Sequence, residues 1–333
     1  MIDCKDKTIL IVGDVMIDAY LCGAVSRLSP EAPVPIVSIE RREQRLGGAA
    51  NVALNVSAMG AKPLLYSVMG NDDNARLFMQ LMYDNNLDRR GILTSESRRT
   101  TVKSRVIGNN MHIVRIDDED TTPLSAVDER QLVERIAAAI KHTHIDAIIF
   151  QDYDKGNITL TVIDETIALA KRHGIITAVD PKHRQFKLFH DVTLFKPNLK
   201  ELREGLNIEI DDSCDDQSLR NALDRASLTL HESQGVEVVL VTLSSRGIYA
   251  CDFRQDAPLS VLLPAEHRAV ADVSGAGDTV ISVATLCLTL GMSLADMVAY
   301  SNKAGGIVCE QVGVVPIDKA RLESCITANT KES

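Results

Sequence analysis

Two glycines flank an alanine, with an aspartate directly behind them, at the head of an apolar run: Ala271-Asp-Val-Ser-Gly-Ala-Gly-Asp-Thr279, then Val280 to Leu290. Gly275, Ala276 and Gly277 would leave main-chain N–H groups uncovered at the positive end of the helix that follows, where a phosphate is favoured. A carboxylate inside such a cradle repels the phosphate unless it takes a proton from a hydroxyl attacking it, which makes Asp278 a candidate general base. The same residues equally allow Asp278 to be a helix-start carboxylate favoured by the dipole. Two further groups could meet a sugar. Asp14 and Asp18 follow the apolar run Lys7 to Gly13, and ligands of open α/β sheets collect at strand carboxyl ends; a cap or loop role is the alternative for each. Gly47 and Gly48 lack the Cβ that would keep a ligand off the backbone. Asn51 offers both a donor and an acceptor to a hydroxyl, although a simple tight turn would use the same glycines.

These residues need elements to hold them. From Ile145 onward strands and helices alternate: Ala147 to Phe150, helix Thr159 to His173, strands Ile175 to Val179 and Val192 to Phe195, a helix from Leu199, a polar helix Ser218 to Ser233, then strand Val236 to Val241. That order predicts a parallel, doubly wound α/β sheet. Polar groups stand at successive strand ends: Gln151-Asp152-Tyr-Asp-Lys155-Gly156, Asp180-Pro-Lys182, Lys196-Pro-Asn198 and Val241-Thr-Leu-Ser244. Their recurrence predicts a polar cleft along one sheet edge. Two segments have another texture. Val25 to Arg45 carries the prolines of Ala32-Pro-Val-Pro-Ile36 and then strand-like order. Thr100 to Ile107, Asn109-Asn110 and His112 to Asp117 read as a hairpin bearing Lys103, Arg105 and Arg115. Together they predict a small sheet acting as a lid, over about residues 14–46 and 98–118. Leu46 to Gly60 is helical up to a C-cap glycine, and two apolar helices, Gly275 to Gly291 and Leu294 to Glu310, close the chain.

The totals narrow the function. A chain of 333 residues with formal charge -10 and pI near 5.3 lacks the basic face that nucleic acid or an anionic membrane requires. No apolar run reaches the ~18 residues of a membrane span, and the N-terminus has no signal-peptide pattern, so a cytoplasmic small-molecule enzyme is expected. Seven cysteines without a C-x-x-C pair suggest neither a disulfide frame nor a zinc site. Asp117-Asp-Glu-Asp120, Asp211 to Asp216 and His142/His144 read as solvated edges rather than metal ligands.

By these residues the chain resembles the ribokinase-like (PfkB) carbohydrate kinases over nearly its whole length: Gly47-Gly48 with Asn51, Asn198-x-x-Glu201, and Asp272-Val-Ser-Gly-Ala-Gly-Asp278. Within that family it is most similar to kinases of D-glycero-D-manno-heptose 7-phosphate, through Gly13-Asp-Val-Met-Ile-Asp18, Arg27-Leu-Ser-Pro-Glu-Ala-Pro-Val-Pro-Ile36, Gly47-Gly-Ala-Ala-Asn-Val-Ala53, Asp152-Tyr153 with Lys155-Gly156, and Asp180-Pro-Lys182. The resemblance implies a Rossmann-type three-layer sandwich with a β lid, ATP with magnesium, and transfer to the anomeric hydroxyl, giving the 1,7-bisphosphate for lipopolysaccharide precursors. It makes Asp278 the base and Gly275, Ala276 and Gly277 the anion hole. Asp14, Gly48, Asn51 and Asp152 fall on the sugar side, with Asp18 and Gly47 beside them. Asn198, Glu201, Thr242, Ser244, Gly247 and Asn302 fall on the nucleotide and magnesium side, with Gly275 and Gly277. It also implies a monovalent cation, potassium, near the Asp272 loop, and a homodimer through the lid strands. Lys103, Arg105, Lys155 and Lys182 are candidates for the phosphate already on the sugar. Ser274 keeps a hydroxyl where threonine is more usual, while His183 and Ala19 depart from the heptose kinases' glycine and arginine. Many bacterial relatives carry a fused nucleotidyltransferase domain; residues 1–333 read as one kinase domain without it. The alternatives are a kinase of another sugar or a non-catalytic binding protein on the same fold.

Overall fold

The computed structural model describes residues 2–266 and 268–329. β1 (Thr8–Gly13) shows why the central sheet is a middle layer. Ile9 and Ile11 enter one apolar core, Leu10 and Val12 enter another, and all four are fully buried. A strand apolar on both faces must be covered on both. The chain then leaves the sheet through β2 (Val15–Leu28) and β3 (Pro35–Gly48) and returns as α1 (Ala49–Ala58), β4 (Lys62–Gly70), α2 (Asp73–Asp84) and β5 (Ile92–Ser95). A second excursion makes β6 (Val102–Gly108) and β7 (Met111–Asp118). Regular alternation follows: α3 (Ala126–His142), β8 (Ala147–Gln151), α4 (Leu160–His173), β9 (Ile176–Asp180), β10 (Leu194–Phe195), α5 (Leu199–Leu206), α6 (Asp216–Gln234) and β11 (Val238–Thr242). A hairpin of β12 (Ile248–Asp252) and β13 (Leu259–Leu263) precedes α7 (Ala276–Thr289), α8 (Leu294–Val308) and α9 (Lys319–Asn329).

The main sheet runs β13-β12-β11-β10-β9-β8-β1-β4-β5. One core holds side chains of α1, α2, α7 and α8, and the other those of α3 to α6, the three-layer α/β sandwich expected. The sheet is not wholly parallel: β12 pairs antiparallel with β11, and β13 antiparallel with β12. This hairpin lies outside the strand–helix alternation from which a parallel sheet was read. The parallel register sets Gly13, Gln151 and Asp180 level at the carboxyl edge, with Phe195 beside Val179. The polar strand ends therefore form one row.

The lid is a separate four-stranded sheet in the order β3-β2-β6-β7, joining the two segments expected to form it. β2 runs parallel to β6, and the outer pairs are antiparallel. Asp18 lies on β2 rather than just past the end of β1, because the chain resumes strand conformation at Val15. Val15 to Tyr20 are buried, whereas the far half of β2 and most of β3 are not, so the lid is rooted in the body and stands away from it. Among the described residues no helix is long and apolar enough to cross a membrane.

The join between lid and body is Gly48, at φ 60° and ψ -136°, immediately before α1. Only glycine tolerates this region, and a Cβ here would run into the Asp14 carbonyl, which accepts the Ala49 N–H at 2.9 Å. Gly48→Ala is expected to lower unfolding free energy by about 1–3 kcal/mol in urea titration; an unchanged midpoint would show that the strain is relieved elsewhere.

Candidate active site

α7 begins without a side-chain cap, at Gly275 with φ 80° and ψ 0°. A Cβ on Gly275 would stand 2.8 Å from Asn51 Nδ2, so α7 can approach α1 this closely only with glycine there. The backbone of Gly275, Ala276 and Gly277 thus forms the uncapped positive end of a helix fourteen residues long. The nearest atoms to a Cβ built on Gly277 are Lys196 Nζ at 3.5 Å and Asp180 Oδ2 at 3.7 Å. A buried ion pair, Lys196 to Asp180 at 2.9 Å, floors the cradle.

Asp278, in the first turn of α7, is 3% exposed. Its Oδ2 accepts from Asn51 Nδ2 at 2.8 Å, and its Oδ1 from Tyr153 Oη at 2.6 Å and Gln151 Nε2 at 3.1 Å. Burial pushes this carboxyl up to about 7; the donors Tyr153 and Asn51 oppose the rise, the Asp180 charge adds to it and Lys196 opposes it. A carboxyl balanced near neutrality suits a general base. Gln151 also donates to Asp180 Oδ2 at 3.1 Å, while Gln151 Oε1 and Asp180 Oδ1 are buried with no hydrogen-bond partner among the described residues. Unmet acceptors beside a base are suited to ligand hydroxyls or bound water.

The sugar-side residues fall into two sets. Both oxygens of buried Asp14 accept main-chain amides, from Tyr153 at 2.8 Å, Lys155 at 3.0 Å and Asn157 at 3.0 Å, so Asp14 shapes the loop that presents Tyr153. Asp152 accepts from the Asp154 and Lys182 amides; burial first, and then the charge of Asp14, drive its carboxyl up. The other set belongs to the lid. Asp18 on β2 pairs with Arg105 on β6, and a Cβ on Gly47 would collide with the Asp18 carboxylate. Lys103 reaches Asp117 and Glu119, each at 3.2 Å, and Glu119 also takes Lys155 at 2.8 Å. Lys182 pairs with Glu201 and lies 5.6 Å from the Tyr153 ring centroid.

Of the residues expected on the nucleotide side, Asn198 and Glu201 form a capping box at the start of α5, at 2.9 and 2.8 Å. Thr242 bridges to Asn198, and Ser244 and Gly247 make the left-handed turn after β11. Asn302 donates to the Pro264 carbonyl at 2.9 Å. Among the described residues, none of Ser244, Gly247 and Asn302 bonds to Asp278. Asp272 accepts the Ser274 and Gly313 amides, each at 2.9 Å; these outweigh its burial and hold it below the usual carboxylate value. Among the described residues no group of three or more His, Cys, Asp or Glu side chains gathers to hold a metal.

Gln151, Tyr153, Asp180 and Lys196 were visible in the sequence as polar strand ends, but their convergence on Asp278 follows from strand register. Tyr20 and Arg45 carried no signal at all. The Tyr20 hydroxyl accepts the Val314 amide at 3.2 Å, and Arg45 Nη1 donates to the Val312 and Val314 carbonyls at 3.1 Å each, tying the lid to the loop that holds Asp272.

Comparison with known proteins agrees with this geometry. The sequence pattern of the pfkB family carbohydrate kinases matches residues 6–320. The chain is 41% identical over 315 residues to the Bifunctional protein HldE of Methylobacillus flagellatus, covering 95% of this chain and 62% of that protein. It is 38% identical over 307 residues to the same-named protein of Helicobacter pylori strain P12, covering 92% and 64%. The chain thus spans less than two thirds of the length of these relatives. The Escherichia coli phosphofructokinase-2 structure with fructose-6-phosphate superposes with TM-score 0.76 at 18% identity, over 97% of this chain and 98% of that one. Arabidopsis thaliana ribokinase complexed with ribose and ATP gives 0.68 at 15%, over 95% and 98%. At such identities these structures speak for the fold.

The raised Asp278 value carries a stability signature. Its unfolded value is about 3.9 and its folded value about 7, so the native state binds the extra proton. Stability from this group is therefore complete below about pH 4 and is lost as pH rises through about 7. Asp278→Asn removes that loss. The melting temperature of the variant minus that of the parent should grow between pH 5 and pH 8 by several degrees, at about 2 °C per kcal/mol; a constant difference would place the titration elsewhere.

Proposed function

The chain belongs to the pfkB family of carbohydrate kinases, phosphotransferases acting on a sugar alcohol group, and on that footing we propose that it phosphorylates the anomeric hydroxyl of D-glycero-D-manno-heptose 7-phosphate with ATP. The observation that carries this is the buried Asp278 carboxylate, held by Asn51, Gln151 and Tyr153 at the uncapped start of α7. Asp278 receives the proton of the sugar hydroxyl as its oxygen bonds to the terminal phosphorus, and the bond to the bridging oxygen breaks to release ADP. The amides of Gly275, Ala276 and Gly277 stabilise charge on the moving group, with Lys196 beneath them. Magnesium bound with ATP would neutralise phosphate charge, with Glu201 reaching it only through water. A potassium ion beside the Asp272 loop would take main-chain carbonyls together with the lone pair that each Asp272 oxygen keeps beyond its one amide.

The heptose assignment draws on the segments Arg27 to Ile36 and Asp152 to Gly156 and on the similarity to the two HldE proteins. A phosphorylated sugar is favoured by the lysine pair at the lid. Arg105 and Lys182 are each committed to a carboxylate of their own, Asp18 and Glu201. Lys103 and Lys155 instead share Glu119 just after β7, a carboxylate that a substrate phosphate could displace. The same proposal places the enzyme in the cytoplasm, as a homodimer formed through the lid, whose edge strands β3 and β7 expose Ile39, Met111, Val114 and Ile116.

A panel of sugars and sugar phosphates, read by ATP turnover, tests the substrate; no ATP consumption with any of them would favour a non-catalytic binding protein. Asp278→Asn should lose at least about two orders of magnitude in kcat while still binding ATP in calorimetry, and near-normal turnover would remove it as the base. Lys155→Met should raise KM about tenfold, equivalent to about 1.4 kcal/mol, for the phosphorylated heptose and leave it unchanged for the free sugar. Equal changes for both sugars would exclude Lys155 from the phosphate subsite.

A further inference from the structure

The donors around Asp278 are unevenly divided between its two oxygens, and the division distinguishes them. Oδ1 accepts two, the Tyr153 hydroxyl at 2.6 Å and Gln151 Nε2 at 3.1 Å, whereas Oδ2 accepts Asn51 Nδ2 alone among the described residues, at 2.8 Å. A carboxylate oxygen has two lone pairs in its plane. We propose that Tyr153 is a positioning residue for the transfer: with Gln151 it occupies Oδ1, turns the carboxylate, and leaves the second lone pair of Oδ2 as the acceptor for the sugar proton. This rests on Asp278 being the base.

The tyrosine is itself firmly placed. Its main-chain N–H is fixed by Asp14 Oδ2 at 2.8 Å, and its ring lies beneath Lys182. Burial, then the charges of Asp278 and Asp180, hold its phenol far above the ordinary value, so the proton between Tyr153 and Asp278 stays on the phenol. A donor that keeps its proton favours the ionised carboxylate. Besides Tyr153, the charged groups acting on Asp278 are Asp180 at the end of β9, which raises its value, and Lys196 after β10, which lowers it. Lys182, beyond β9, also interacts with its charge. The neutral Asn51 and Gln151 complete the surround. Removing the phenol hydroxyl deletes one of the three side-chain donors to the buried carboxylate.

Two substitutions test this in opposite directions. In Tyr153→Phe the acid limb of kcat/KM, measured with a sugar that is turned over, should move up by about one pH unit. The rate should then fall about fivefold at pH 7 and recover by pH 9, with KM for ATP unchanged. Fluorination of the Tyr153 ring strengthens the donor without altering shape, and should move the limb down. The same displacements should appear without substrate in the carboxyl ¹³C shift of Asp278 in the free enzyme, so the inference can be read even if no tested sugar is turned over. A limb and a carboxyl titration that stay in place in both variants would overturn it, and so would a rate loss in Tyr153→Phe that is equal at every pH. Should Tyr153→Phe fail to fold, the fluorinated protein decides alone. Near-normal turnover by Asp278→Asn would instead count against the base, which separates the two failures.

Discussion

A carboxylate withdrawn from water must find other donors or stay neutral, and the structure around the cleft is organised by that demand at Asp278. Its donors come from two places distant in the chain: Asn51 in α1, and the end of β8 with the loop beyond it, which supply Gln151 and Tyr153. Each arrives by a different route. Gln151 is delivered by the parallel register of β1, β8 and β9, which sets it level with Asp180. Tyr153 is delivered by Asp14, whose two oxygens gather three successive odd-numbered amides of the loop. Asn51 requires α1 and α7 to touch, which the glycine at 275 permits; Asn55 one turn later accepts from Thr279 and from the Ile317 amide and holds the two helices in phase.

A second charged system ties the four-stranded sheet to that centre. Tyr20 lies between two guanidinium groups, Arg45 at 5.2 Å and Arg105 at 5.3 Å from its ring centroid, and Arg45 reaches the carbonyls of Val312 and Val314. Gly313, between them, donates to Asp272 at the head of the anion loop. The lid sheet, which carries Asp18, Lys103 and Arg105, is therefore bonded to the segment that leads into α7. Lys182 makes the corresponding link on the other flank, from the Tyr153 ring to Glu201 in α5. Arg45 reaches neutral carbonyls and Lys182 a carboxylate that is largely buried, and removing one partner of such a pair leaves the other charge uncompensated.

The sequence and the structure inform about different scales. Sequence order alone determined the α/β alternation, the helices read at 159–173 and 275–291, the lid hairpin around Asn109 and Asn110, and the glycine-led start of α7. Those features follow from neighbours within one or two turns, through periodicity, caps and glycine. The antiparallel β12–β13 edge was not legible because nothing local distinguishes its strands from parallel ones. The roles of Asn198 and Glu201 as a capping box, and of Asp14 as a clamp on amides, became visible only in three dimensions, since an isolated carboxylate or amide reads the same whether it meets a ligand or its own backbone. Which groups surround Asp278 was decided by tertiary structure. Asn51 and Asp278 are 227 positions apart, and Gln151 and Asp278 are 127 apart; only strand register and helix packing bring them within hydrogen-bond distance.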